Sequence, residues 1–147
     1  MAPGDLAPTD ASAADRWYWY VLIAYPALNL LGIVAIARLA GGGSILASSL
    51  ASLTILILVT AAGVVAIPAL WRDIEFVTRE TEAWTPDRDV YVGSAIAVPA
   101  GLGLLSGLLA GVGVAIAIAL VAFLLATVTV CVVYLFNRHR TVGLATR

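Results

Sequence analysis

Lysine is absent, and cysteine, histidine and methionine occur once each. The single Cys131 excludes an intrachain disulfide and leaves no partner for a thiolate metal site. His139 has no second histidine at ligand spacing, and no glycine-rich phosphate loop or nucleophile motif occurs anywhere in the chain. Eight basic residues, all arginine, are too scattered to form a nucleic-acid-binding domain. Charged residues of either sign make up only 12% of the chain, too few to clothe a water-facing surface. No Asp, Glu, His, Lys or Arg falls within residues 17–37, 39–71 or 90–137. Coupled pumps and antiporters ordinarily need an ionisable group at membrane depth, so this pattern argues against them.

What is present is apolar. Hydrophobic residues account for 62% of the 147 positions and the mean hydropathy is +1.03. The charge-free runs are 21, 33 and 48 residues long, each above the ~18 residues that mark a membrane-spanning helix. The last run cannot be one helix, because at about 1.5 Å per residue it would extend over twice the hydrocarbon thickness. It must fold back, and Ser106, Gly107, Gly111 and Gly113 bracket the break. The expected fold is all-α: a polytopic four-transmembrane-helix bundle with spans at about 17–37, 45–71, 90–108 and 114–136.

The tails and connections follow from the same pattern. Residues 1–16, rich in Ala, Pro and Asp, read as a disordered N-terminal tail whose acidic character does not suit a cleaved secretory leader. The 17–137 domain opens with Trp17-Tyr18-Trp19-Tyr20, rings that settle at headgroup level. A Gly-rich turn at 38–44 joins the first two spans, and residues 72–89 form a charged loop with the second helix continuing to about Glu82. Thr85-Pro86-Asp87 reads as a helix start with Thr85 as N-cap. Residues 138–147 form the C-terminal tail. With four spans, Arg16, Arg72, Arg79, Arg88, Arg138, Arg140 and Arg147 share one side and Arg38 alone faces the other. That bias predicts a multi-pass protein of the plasma membrane with both termini cytoplasmic.

Candidate functional positions are few. Gly93, Ala97 and Gly101 recur at helical spacing on the third span, and Ala115, Ala119, Ala122, Ala126 and Thr129 form a stripe spaced 4, 3, 4, 3 on the fourth. Small residues so placed let helix backbones approach closely in lipid. Gly103, Gly107 and Gly111 straddle the expected turn, where they serve packing or chain reversal. Asn29, with Ser48 and Ser52 of the second span, could line a polar path, although interhelical or same-helix hydrogen bonding accounts for such groups more simply. The six carboxylates of 72–89 read as a solvated face, and Arg138-His139-Arg140 as an anchor to anionic lipid.

Arg72-Asp73 with Arg79-Glu80, Trp84-x-Pro86 and Tyr91, then Tyr134-x-x-x-Arg138-His139-Arg140 leading to Gly143, resembles small four-helix membrane proteins of halophilic archaea with no assigned function. The resemblance covers the second half of the chain and implies four helices in a cell membrane, but no activity. No catalytic, cofactor or metal residue is therefore expected, and the chain is not read as an enzyme. Its expected partners are the lipid bilayer and either a second copy or a larger membrane complex, with no nucleic acid. The expected role is a structural or interaction subunit packing through its small-residue faces. The competing expectation is an oligomeric passive channel or uncoupled small-solute transporter.

Overall fold

A computed structural model describes residues 17–41, 44–80 and 84–141. The expected tail 1–16, the end of the C-terminal tail from 142, and positions 42–43 and 81–83 lie outside the described residues. Four helices follow in order: α1 (Trp17–Ala40), α2 (Ile45–Glu80), α3 (Arg88–Ala110) and α4 (Val112–Thr141). All four are long and apolar enough to cross a membrane. The fold is all-α, and the chain is a multi-pass membrane protein.

The helix ends show which local signals prevailed. α3 is capped by Asp87, not Thr85: the Asp87 carboxylate accepts from the backbone N–H of Asp89 at 2.9 Å and of Val90 at 3.4 Å. A carboxylate at that position satisfies free amides and also meets the positive end of the helix dipole, so it outcompetes a hydroxyl two residues earlier. Between α3 and α4 the break is one residue, Gly111, with φ 88° and ψ 171°. Only glycine adopts that backbone conformation readily. Its N–H returns to the Gly107 carbonyl while its own carbonyl accepts from Ala115, so both helices are finished by the same residue. The chain runs unbroken through Pro26, Pro68 and Pro99.

Packing proceeds in two hairpins, α1–α2 and α3–α4, with α4 seated against both helices of the first. Buried positions on α1 are Tyr18, Leu22, Tyr25, Asn29 and Gly32, spaced 4, 3, 4, 3. On α2 they include Val59, Gly63, Ala66, Leu70, Asp73 and Val77, spaced 4, 3, 4, 3, 4. This is the heptad spacing of helices that pack nearly antiparallel with side chains interlocking. Close approach is made at glycine. A Cβ on Gly32 would lie 2.9 Å from Val59 Cγ2, and one on Gly103 would lie 2.8 Å from Ala119 Cβ.

The bundle thus has two unlike ends. At the turn end lie Gly41, Ser44 and Gly111. At the loop end α1 starts, α2 ends, α3 starts and α4 ends. The buried apolar cluster, from Tyr18 to Tyr25 on α1 and Ala66 to Ile74 on α2 with Val92, Cys131 and Tyr134 opposite, belongs to the loop end.

Candidate functional site

The polar site of this protein lies at the loop end and draws on every helix. Tyr134 and Arg138 are four residues apart on α4 and so share a face. Opposite them on α2 stands Asp73, wholly buried although it lies two residues past the apolar run. The Tyr134 hydroxyl donates to Asp73 Oδ2 at 2.6 Å, and Arg138 Nη1 lies 3.4 Å from Asp73 Oδ1. Tyr91 of α3 sets its ring edge-on to Tyr134 at 5.4 Å and accepts from Asn137 Nδ2 at 2.9 Å. Trp84 packs on the other side of Tyr134 at 5.5 Å, and the Arg138 guanidinium sits 5.9 Å from the Trp19 ring of α1.

Two of the charges expected at the surface are therefore inside. Asp73 is not part of a solvated face, and Arg138, 6% exposed, is not a lipid anchor. His139 and Arg140 do remain exposed, as do Glu75, Asp87 and Asp89. The physical reason is the heptad: Asp73 and Arg138 each occupy the next position on a buried stripe, after Ala66 and Leu70 on α2 and after Cys131 and Tyr134 on α4. Taking one unpaired charge out of water is costly, whereas two that face each other with hydrogen-bonding neighbours offset much of that cost. Removing either partner of such a pair costs about 3–5 kcal/mol.

The pairing is incomplete. Asp73 Oδ1, Arg138 Nε and Nη1, and Trp19 Nε1 are buried without a hydrogen-bond partner; the 3.4 Å approach has charge proximity without hydrogen-bond geometry. Outside this cluster, an open groove of about 340 Å³ lies between the end of α2 and the start of α3. It mixes Glu75, Asp87 and Asp89 with Arg79 and Arg88, a balance of charge that selects no ligand. Among the described residues no group of three His, Cys, Asp or Glu is placed to hold a metal.

The small residues singled out from the sequence divide between two faces. Ala115 and Ala119 meet Gly107 and Gly103 within the α3–α4 hairpin, Ala122 is buried, and Ala126 is half-buried. Thr129 is exposed, because the buried face of α4 shifts by one position to pass through Thr127, Cys131 and Tyr134. On α3, nothing lies within 4 Å of where a Cβ would stand on Gly93 or Gly101, and Ala97 is exposed. Gly103 and Gly107 serve packing, and Gly111 serves the reversal.

Asn29 is buried and its amide donates to Tyr25 Oη, 3.3 Å away on the same helix. Ser48 donates to the Ile45 carbonyl, as Thr54 and Thr60 do to Leu50 and Leu56. With Gly32 level with Val59 and Tyr25 level with Gly63, Ser48 stands about 16 Å and Ser52 about 10 Å nearer the turn end than Val59. Asn29 is not brought to their level.

Compared with family models, characterised proteins and solved structures, the chain matches none. Its function must be argued from its own geometry.

Proposed function

We propose that this protein is a small interaction subunit of the plasma membrane, with both termini cytoplasmic, that associates with a second copy of itself or with a larger membrane complex through the outward face of α3. One observation carries the proposal: α3 bears two small-residue faces, and only one is used within the chain. Gly103 and Gly107 are filled by Ala119 and Ala115, whereas on the face of Gly93, Ala97 and Gly101, at i, i+4 and i+8, nothing lies within 4 Å of a Cβ position on either glycine and Ala97 is exposed. Lipid tails are as apolar as leucine, so helices gain nothing from hydrophobicity alone when they associate in a bilayer. They gain from close dispersion contact, which a groove of glycine and alanine permits and a leucine surface does not.

The orientation rests on arginine. Arg72, Arg79, Arg88, Arg138 and Arg140 stand at the loop end and Arg38 at the turn end. Trp17, Trp19, Trp71 and Trp84 gather at the loop end too, and the Arg88 guanidinium covers the Trp71 ring at 4.4 Å, a pairing suited to the headgroup layer.

Ala97→Cys in a Cys131→Ala background tests the proposal. Mild oxidation in native membranes should give a disulfide-linked pair if the partner is a second copy, and a photo-crosslinker on the same cysteine should give one discrete larger adduct if it is another subunit. Monomer from both treatments, with the same probes at Leu102 on another face of α3 giving an identical pattern, would count against the proposal.

A further inference from the structure

Within each hairpin, the helices meet closely at glycine: Gly32 packs against the Val59 side chain, and Gly103 against Ala119. Between hairpins the contact is one-sided. No described residue of α2 before Val59 is buried, and none of α4 before Ala122. The apolar cluster that joins the pairs sits at the loop end, together with Asp73, Tyr134 and Arg138. Two stiff bodies are thus held together mainly at one end, and polar groups occupy the centre of that junction.

Arginine–carboxylate pairs are frequently bidentate forks. This one is not. Arg138 makes a single 3.4 Å approach, and Asp73 Oδ1, Arg138 Nε and Nη1 and Trp19 Nε1 have no hydrogen-bond partner. Water is close by: Asp73 is the 29th residue of α2, about 42 Å from the helix start, against a hydrocarbon layer of about 30 Å. Parting of the hairpins at this end exposes these polar groups to bulk water, which offsets part of the cost of parting the apolar side chains around them.

We propose that the Asp73–Tyr134–Arg138 cluster is a clasp with two positions, closed as seen here and open when the hairpins pivot apart at the loop end and water enters between Trp19, Asp73 and Arg138. The 2.6 Å hydrogen bond from Tyr134 to Asp73 is the interaction specific to the closed position. Trp84, tilted against Tyr134, and Tyr91, edge-on to it, seat that ring from the loop and from α3, so that all four helices sense the change. Gly63, with Tyr25 Oη 2.8 Å and Phe123 Cε1 3.0 Å from where its Cβ would be, gives a compact fulcrum where the hairpins cross. Opening at the loop end therefore draws the turn ends together.

Spin-label distance measurements on the full chain in lipid nanodiscs test this. In a Cys131→Ala background, Glu75→Cys with Val133→Cys spans the hairpins at the loop end, and Leu46→Cys with Leu109→Cys spans them at the turn end. All four positions are exposed. The loop-end pair should show a main short distance and a minor one about 5 Å longer, of the order of one helix turn. Tyr134→Phe removes only the hydroxyl, and should raise the ratio of long to short about fivefold, the factor carried by one hydrogen bond of ordinary net strength. The turn-end pair should shorten in step. The triple variant Asp73→Leu, Tyr134→Phe, Arg138→Met replaces the clasp by apolar groups and should abolish the longer distance. A single distance in all three proteins overturns the clasp. So does a longer distance that grows equally in Tyr134→Phe and the triple variant, because that would report loosened packing.

Discussion

Gly103→Ala isolates the packing logic of the α3–α4 hairpin. The added Cβ would stand 2.8 Å from Ala119 Cβ, with the Ala115 carbonyl oxygen at 3.6 Å and Ala119 Cα at 3.7 Å behind it. Carbon atoms rest about 3.5–4.0 Å apart, so the helices must separate by about 1 Å. No rotamer relieves the clash, because the opposing Cβ is fixed to the α4 backbone. Such overpacking costs about 1–3 kcal/mol. Alanine recovers about 0.5–1 kcal/mol over glycine in a helix interior, which leaves a net loss of about 1–2 kcal/mol. Gly93→Ala introduces a Cβ with nothing within 4 Å, so only the favourable backbone contribution remains. Reversible unfolding in mixed micelles of dodecyl maltoside and SDS should therefore rank Gly93→Ala at or above wild type and Gly103→Ala clearly below it. Adding Ala119→Gly should restore most of the loss by removing the opposing carbon. A Gly103→Ala protein as stable as Gly93→Ala, or one that Ala119→Gly fails to rescue, would refute this account of the hairpin.

Three further outcomes are expected. Gly111→Ala should destabilise the hairpin by about 1–3 kcal/mol in the same titration, since φ 88° with ψ 171° suits glycine alone. Asp87→Ala should cost about 1 kcal/mol and speed amide exchange at Asp89 and Val90, while Thr85→Ala should do neither. In intact cells carrying Cys131→Ala, an impermeant thiol reagent should label Ser44→Cys but reach Thr85→Cys only after the membrane is opened; the reverse pattern inverts the orientation proposed from the arginines.

Helix number and class were legible because both rest on quantities that need no partner. Charge-free runs measure span length, and a 48-residue run cannot cross a bilayer once. The buried polar cluster was far less so. Asp73 follows Trp71 and Arg72 and stands in a segment crowded with charge, so its residue type argued for water. Its burial is decided by Tyr134 and Arg138, more than sixty positions away in sequence. A signal did exist in the spacing. Ala66, Leu70, Asp73 and Val77 continue one heptad across the expected membrane boundary, as Thr127, Cys131, Tyr134 and Arg138 do on α4. Following the stripe past the last apolar residue, instead of stopping at the first charge, would have turned both side chains inward. The small-residue faces show the opposite difficulty. Spacing identified Gly93, Ala97 and Gly101 as readily as Gly103 and Gly107, but which face the second helix of the hairpin occupies depends on where Gly111 reverses the chain.

Association in a bilayer is the most direct measure of the central claim. Donor- and acceptor-labelled copies of the full chain, reconstituted together and diluted stepwise with lipid, should show energy transfer that falls along a monomer–dimer isotherm. Ala97→Leu fills the unoccupied face and should weaken association about fivefold or more, the effect of an overpacking cost of about 1–3 kcal/mol. Leu102→Ala, exposed on the same helix away from that face, should leave it unchanged. Energy transfer no greater than that between unrelated membrane proteins, or an isotherm that Ala97→Leu does not move, would contradict association through the Gly93–Ala97–Gly101 face.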